Sequence, residues 1–293
     1  MRLVAALCLC IFSITAFSNP APEVLLLQQS YRSMSDSLSH SKLLRPLQIS
    51  SNESVDHLSG DLYGTVHYGL ATLNTAVSES ERWCEMMLLL SNSKSCRFNP
   101  GSKDGRLQVS MSGSKTADTA GGKTTEFTLQ VTTSTVEYLD AALQAVEGPM
   151  GTHNISLRLQ AIPLSETSTF FHLHYSYDTS WLGRIAMQAY LQTAGRGKVG
   201  FSMNSGVQVI GDVHIDGARG VIERNTMRYF LGMDCAMAYT TQKSPQRFNS
   251  MAACWYEQVE KYPLQLHEMQ RNEYLQMKFD QYRQQLNLNQ QKE

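Results

Sequence analysis

Five segments in which apolar and polar residues alternate constrain the fold of this chain more than any other feature. They are 107–111, 127–132, 139–145, 155–161 and 171–177. Successive side chains of a β-strand point to opposite faces, so alternation is typical of strands with one apolar and one polar face. Each segment is bounded by Gly, Pro, Ser or Asn, which favour short turns. The pattern therefore predicts an antiparallel sheet with one face in water and one face covered.

Segments with helical spacing flank these strands and would supply the cover. Apolar residues fall three or four apart on one stripe of 22–38, which we expect to pack against the domain body. A strand is predicted at 61–68, and a helical region with a break near 78–82 at 70–90. Four further helices are predicted, at 181–193, 220–239, 255–262 and 264–286. Met227–Tyr239 is apolar on nearly all sides, which indicates a buried helix.

The N-terminus has the features of a secretory signal peptide. Met1-Arg2 precedes an apolar run from Leu3 to Phe17, and small residues favour cleavage before Asn19. The run is shorter than the ~20 apolar residues that span a membrane. We therefore expect a periplasmic or secreted protein with no transmembrane segment once the signal is removed.

Four cysteines remain after the signal peptide, namely Cys84, Cys96, Cys235 and Cys254. An even number in an oxidising compartment predicts two disulfides, with three possible connectivities. Proximity favours Cys84–Cys96 and Cys235–Cys254, and four free thiols are the alternative. The absence of a C-x-x-C motif disfavours a zinc ribbon.

Charge and motifs argue against nucleic acid and nucleotide cofactors. The 293 residues carry a formal charge of −1 and no basic run, whereas a nucleic acid demands a positive face. Gly195, Gly197 and Gly200 fit the letters G-x-G-x-x-G but follow a predicted helix, so the order of elements is reversed. P-loop spacing also fails. We interpret the glycines as a helix C-cap and turn, and we expect no cofactor.

The element order resembles the helix-grip fold of the START-like (SRPBCC, polyketide-cyclase-like) superfamily. One strand, two helical segments, a meander of strands and a long helix cover roughly 51–239. The segments RWCEMMLLLSNSKSC, EGPMGTHNISLRLQAIPL and GVIERNTMRYFLGMDC also resemble those of an uncharacterised group of bacterial exported proteins. The resemblance implies an α+β domain whose curved antiparallel sheet wraps a long helix, with an apolar ligand between them.

Helices after Tyr239 depart from the simple pattern and could seal or fill such a cavity. The chain then divides into a signal peptide (1–18), an N-terminal helix and linker (19–50), the START-like domain (51–240) and a helical extension (241–293).

Charged residues at the start of the buried helix are candidates for holding the polar head of a ligand. Basic residues oppose the helix dipole there, so Arg228 needs a carboxylate or a ligand anion nearby. Within the protein, Glu223 or Asp140 is the expected partner. In the ligand-binding interpretation, Arg228 and Glu223 anchor the head group and three aromatic residues line the apolar part: Tyr175, Tyr177 and Trp181. The alternatives are a solvated ion-pair cluster and plain core packing.

His172 and His174 project from the same face of a strand, which is a spacing that metal ligands use. Because the sequence identifies no third ligand, we interpret them as surface histidines and only as weak metal candidates. No G-x-S-x-G motif is present, and we assign no catalytic residue. The sequence thus predicts an exported carrier or binding protein for a lipid or other hydrophobic molecule. The alternatives are an enzyme using His or Glu chemistry and a cavity-free interaction protein.

Overall fold

A computed structural model describes residues 21–99, 105–111, 123–193, 195–204 and 213–290. The predicted signal peptide lies outside these residues. In the described part, eight strands are present: β1 (Leu47–Glu53), β2 (His57–Val66), β3 (Ser93–Phe98), β4 (Arg106–Met111), β5 (Lys123–Ser134), β6 (Leu139–Glu147), β7 (Thr152–Ser165) and β8 (Ser168–Thr179). The helices are α1 (Pro22–Ser39), α2 (Leu70–Val77), α3 (Ser80–Leu89), α4 (Trp181–Gln192), α5 (Gly217–Ala238), α6 (Gln246–Val259), α7 (Pro263–Leu266) and α8 (Arg271–Gln290).

The strands form one antiparallel sheet in the order β1-β2-β8-β7-β6-β5-β4-β3. The five alternating segments are β4 to β8, as predicted. The register aligns one apolar residue from each of four neighbouring strands in a single row: Leu62, Leu173, Leu159 and Ala141. This row lies on the face that the core helices cover, which we call the inner face.

Helix α5 lies against the inner face, where it packs on β1, β2 and β8. The ring of Phe230 on α5 stacks on Phe171 of β8 with centroids 5.0 Å apart. Helices α2 and α3 cover other strands of this face, and α6 packs against α5. The α+β helix-grip architecture with extra C-terminal helices is therefore confirmed.

The C-terminal helices differ in their bounds from the prediction. The segment predicted as one helix at 264–286 is divided into α7 and α8, and α6 begins at Gln246 instead of Trp255. Polar residues at the start of α6 and of α8 concealed these boundaries, because the prediction followed apolar spacing alone.

The opposite, outer face of the sheet is not wholly in water, which corrects the sequence prediction. Helix α1 places Val24 and Leu27 in a small core with Ile162 and Phe170, which point outward from β7 and β8. Apolar residues at these outward positions need a cover, and the predicted stripe of α1 supplies it.

Two disulfides are present, with the pairing that proximity favoured. Cys84–Cys96 links α3 to β3, and Cys235–Cys254 links α5 to α6. Each closes a short loop, which contributes about 2–4 kcal/mol to stability. Among the described residues, no helix combines the length and the apolar character needed to cross a membrane.

Candidate functional site

Tyr175 and Tyr177 lie on the inner face of β8, beneath α5, and both are buried. The Tyr175 ring meets Tyr229 of α5 edge-on with centroids 5.0 Å apart, and Tyr177 is its other aromatic neighbour at 5.6 Å. Burial raises the pKa of Tyr229 to about 12 and that of Tyr175 well above its usual value. These hydroxyls are therefore neutral groups within a packed layer.

The space between sheet and helix is filled by side chains where this layer can be followed. Leu62 and Leu173 of the sheet, and Ile222 and Thr226 of α5, each have 0% of their surface accessible. A side chain with no accessible surface borders no void large enough for water. The continuous apolar cavity expected beneath the long helix is therefore not formed at these residues.

Glu223 is fully buried and satisfied by donors of the chain itself. Its Oε2 accepts the backbone N–H groups of Phe201 (2.7 Å) and Ser202 (2.9 Å), and its Oε1 accepts the Ser51 hydroxyl (2.7 Å). The carboxylate thus fastens α5 to the loop at 199–202 and to β1. Its contacts are those of a structural clamp.

Arg228 pairs with Glu268 instead of the carboxylates expected from the sequence. Its Nη2 lies 2.6 Å from Glu268 Oε1, and its Nη1 donates to Asn225 Oδ1 at 3.1 Å. Asp140 is held by Arg158 at 2.6 and 2.9 Å. Glu268 follows α7 in the C-terminal extension, 40 residues from Arg228, so sequence spacing could not place it beside that guanidinium.

Trp181 begins α4 and is 63% exposed, so it does not line the interior as expected. Leu182, Ile185 and Met150 are also more than half exposed. We call these four residues the α4 patch.

The glycine-rich loop serves backbone geometry, as the sequence indicated. Gly195 N–H donates to Tyr190 O (2.8 Å) just beyond the end of α4, and Gly197 has φ +74°. A Cβ on Gly200 would lie 2.5 Å from Glu223 Oε2, so only glycine fits beside the clamp.

An open pocket, which we call the loop pocket, lies at the junction of three distant segments. Its volume is about 290 Å³, and its apolar walls include Leu43, Leu44, Phe201, Met203 and Tyr262. Leu44 is 70% exposed and has φ 60°, an uncommon backbone conformation for leucine. Non-glycine residues with such a positive φ cluster at functional sites. No sequence signal pointed to this pocket, since its walls are far apart in the chain.

Basic groups accompany these apolar walls. Lys42, Lys261 and His214 also line the loop pocket. Within the described part of the chain, Nδ1 of His214 is buried and has no hydrogen-bond partner. The pocket thus combines an apolar surface with basic side chains.

His172 and His174 lie on the outer face of β8, side by side as predicted. Asp61 of β2 lies between them: its Oδ1 is 2.8 Å from His172 Nε2 and 2.8 Å from His174 Nδ1. Burial opposes ionisation of Asp61, but hydrogen bonds from both histidines outweigh it and lower the pKa of this carboxyl well below its usual range. The third group that the sequence could not identify is therefore present.

Comparison with known proteins yields similarity to solved structures alone. The sequence matches no protein-family model and no curated protein. The aromatase/cyclase Zhui from Streptomyces sp. R1128 is 11% identical, with a TM-score of 0.39 over 68% of this chain and 98% of that one. Human StAR-related lipid transfer protein 5 is 11% identical, with a TM-score of 0.35 over 73% of this chain and 97% of that one.

A START superfamily protein from Mycobacterium smegmatis is 12% identical, with a TM-score of 0.32 over 48% of this chain and 92% of that one. At such identities the assignment of the fold rests on the sheet order and on the position of α5 described above. The chain is an α+β protein with the helix-grip arrangement, and it is similar in fold to START-like proteins.

Proposed function

We propose that the protein is an exported binding protein for a hydrophobic small molecule with an anionic head group, held in the loop pocket. The observation that carries this proposal is the pocket itself, about 290 Å³ in volume with apolar walls and basic groups. Small-molecule sites commonly have volumes of ~300–1,000 Å³ and place a few polar groups on an apolar surface. The packed interior beneath α5 offers no comparable space around Leu62, Leu173 and Ile222.

The apolar and basic residues that line the pocket suggest how such a molecule would lie. Its apolar part would contact Leu43, Leu44 and Met203, which would remove exposed apolar surface from water. Its head group would meet Lys42 or Lys261 at the rim of the apolar walls. A carboxylate or phosphate suits these ammonium groups, because each carries negative charge and accepts hydrogen bonds.

Export is supported by the disulfides and by the expected signal peptide. Disulfides persist in oxidising compartments and are rare in cytosolic proteins. Cys84, Cys96 and Cys235 are buried in the core and Cys254 packs against it, so both disulfides link helices to their neighbours inside the fold. We propose a periplasmic or secreted location on this basis, in line with the resemblance to bacterial exported proteins.

Calorimetric titration with dodecanoate, and with dodecanol as the uncharged comparison, tests the proposed site. Dodecanoate should bind with one-site saturation and more tightly than dodecanol. Met203→Glu places negative charge in the pocket wall and should weaken dodecanoate binding at least tenfold. Met150→Glu is the matched control, since Met150 is also exposed but lies in the α4 patch. An absence of saturable binding, or equal loss in both variants, would refute the site.

The α4 patch favours a second candidate, a protein whose packed body presents its surface to a protein partner. Trp181, Leu182 and Ile185 occupy the first turns of a helix with only Gly183 fully buried, and Met150 lies near them. Contiguous exposed apolar residues mark interaction surfaces. Cross-linking in the periplasm of the native host should capture one partner with wild type and lose it with Trp181→Ser. Retention of that partner would exclude the α4 patch as the contact.

A further inference from the structure

We propose that Asp61, His172 and His174 form a binding site for a divalent transition-metal ion on the outer face of the sheet. The three side chains supply two imidazole nitrogens and one carboxylate oxygen, all within 4.8 Å of one another. Imidazole and carboxylate are the ligands that Zn²⁺ and its neighbours in the first transition series accept. This site is separate from the loop pocket and does not depend on the function proposed for that pocket.

The sheet fixes the spacing of the three ligands. His172 and His174 are two residues apart on β8, so both project from one face, and the register places Asp61 of β2 directly opposite His174. Tyr63, opposite His172, stacks on that imidazole with centroids 4.1 Å apart and planes 3° from parallel. The pairing of β2 with β8 and the stacking of Tyr63 on His172 therefore hold the ligand atoms on a rigid element, which favours a preorganised site.

The present distances suit an ion with little rearrangement. Each histidine nitrogen lies 2.8 Å from the same carboxylate oxygen. Ligand atoms ~2.0–2.1 Å from a tetrahedral zinc ion lie about 3.3 Å from one another. Small movements of the side chains would therefore separate these ligand atoms enough to admit the ion between them. The two nitrogens that now face Asp61 would present lone pairs to the ion, with any imidazole proton on the other ring nitrogen.

The surroundings are compatible with a cation. Arg158 of β7 lies opposite His174, but its guanidinium is paired with Asp140 at 2.6 and 2.9 Å. Gln160, opposite His172, is neutral. The ligand side chains are only partly exposed, at 28% for Asp61, 16% for His172 and 33% for His174. Three protein ligands and an open side are the arrangement of sites in which water or substrate completes the coordination.

A second histidine–carboxylate pair on the same strands provides an internal control. His57 Nδ1 of β2 lies 2.7 Å from Asp178 Oδ1 of β8, and these residues are opposite each other in the register. His153 of β7 also lies opposite Asp178, but among the described residues only Asp61, His172 and His174 bring three ligand atoms within 4.8 Å of one another. The His57–Asp178 pair should bind a divalent ion much more weakly, because a nitrogen ligand is missing.

The test is calorimetric titration of the full chain with ZnCl₂ after removal of metal with EDTA. We expect one ion per chain, and at least a tenfold loss of affinity in His174→Ala and in Asp61→Asn, with His57→Ala unchanged. Co²⁺ should give visible absorption bands in wild type and not in His174→Ala, which reports the coordination directly. Asp61→Asn preserves size and a hydrogen-bond acceptor, so it remains informative if His174→Ala folds poorly.

Three results would overturn the proposal. They are an absence of saturable binding in wild type, retention of full affinity in both Asp61→Asn and His174→Ala, and an equal loss of affinity in His57→Ala. The first would assign the cluster to hydrogen bonding alone. The others would place the ion elsewhere on the chain.

Discussion

A single added methyl group at Gly60 tests whether α5 is held tightly against the sheet. A Cβ at this position of β2 would lie 2.5 Å from Thr226 Oγ1 and 3.3 Å from Ile222 Cγ1. Overpacking of this kind costs about 1–3 kcal/mol. Restricting the unfolded chain by replacing glycine with alanine offsets about 0.4–1 kcal/mol. Gly60→Ala should therefore lower the free energy of unfolding by about 1–2 kcal/mol.

Thr226→Ala removes the nearest atom in the way and permits a double-mutant cycle. The Thr226 hydroxyl donates only to Ile222 O within its own helix, so its loss leaves no buried group newly unsatisfied. In that background Gly60→Ala should be close to neutral, which gives a coupling free energy of about 1–2 kcal/mol. The measurement is urea unfolding with disulfides intact, where a change of midpoint at constant slope reports stability.

Gly232→Ala is the matched control for this cycle. Gly232 lies on the same helix, but its nearest neighbour would be 3.8 Å from the added Cβ. There the substitution should stabilise the protein by about 0.5–1 kcal/mol through helix propensity. If Gly60→Ala is neutral whether or not Thr226 is present, α5 moves readily away from the sheet. The interior beneath it would then have to be reconsidered as a site for a ligand.

The ion pair of Arg228, the disulfides and a buried lysine each give a measurable expectation. Arg228→Met should lower the free energy of unfolding by about 2–3 kcal/mol, because it removes the cation paired with a partly buried carboxylate that keeps only weaker partners such as the Ser91 hydroxyl. Adding Glu268→Gln should recover part of this loss, and a double mutant no more stable than Arg228→Met would contradict the reasoning. If the predicted signal peptide is cleaved, the mature protein should begin at Asn19 and gain two hydrogen masses per disulfide on reduction, as measured by intact mass. Free thiols in fresh, unreduced protein would exclude the pairing. Burial lowers the pKa of Lys278 well below its usual value, so the unfolded chain binds more protons than the folded chain between the two pKa values. Wild type should therefore gain stability relative to Lys278→Met as the pH rises from about 7 towards the pKa of the unfolded lysine, near 10.4. Urea unfolding across this range measures the stability difference between the two proteins, and a difference that does not change with pH would refute the assigned direction.

The sequence predicted those parts of the fold whose pattern is local. Five strands followed from alternation, and the buried helix followed from its apolar character. Strands β1 and β3 were missed because β1 has only Leu47 and Ile49 as apolar residues and β3 is mostly polar. Both are edge strands, where the demand for apolar residues is weakest.

The candidate sites were only partly predictable, since their chemistry depends on long-range neighbours. The period of a strand placed His172 and His174 on one face, but their partner Asp61 comes from a strand more than 100 residues earlier. Glu268, which pairs with Arg228, lies 40 residues away in a helical extension. Sequence spacing cannot supply such partners, because strand order and helix docking decide them.

Helix α8 covers the free edge of the sheet, which affects how the chain associates with other chains. Strand β3 is the last strand of the sheet, so one side of its backbone has no neighbouring strand. Gln285 Oε1 accepts the Cys96 N–H at 2.8 Å, and Lys278 Nζ donates to the Ser93 carbonyl at 3.0 Å. Two side chains of a helix thus occupy the hydrogen-bonding positions that a foreign strand would use, and exposed edges of this kind promote aggregation. Through α8, the helical extension therefore covers this edge, and its detachment should leave β3 free to pair with a strand of another chain.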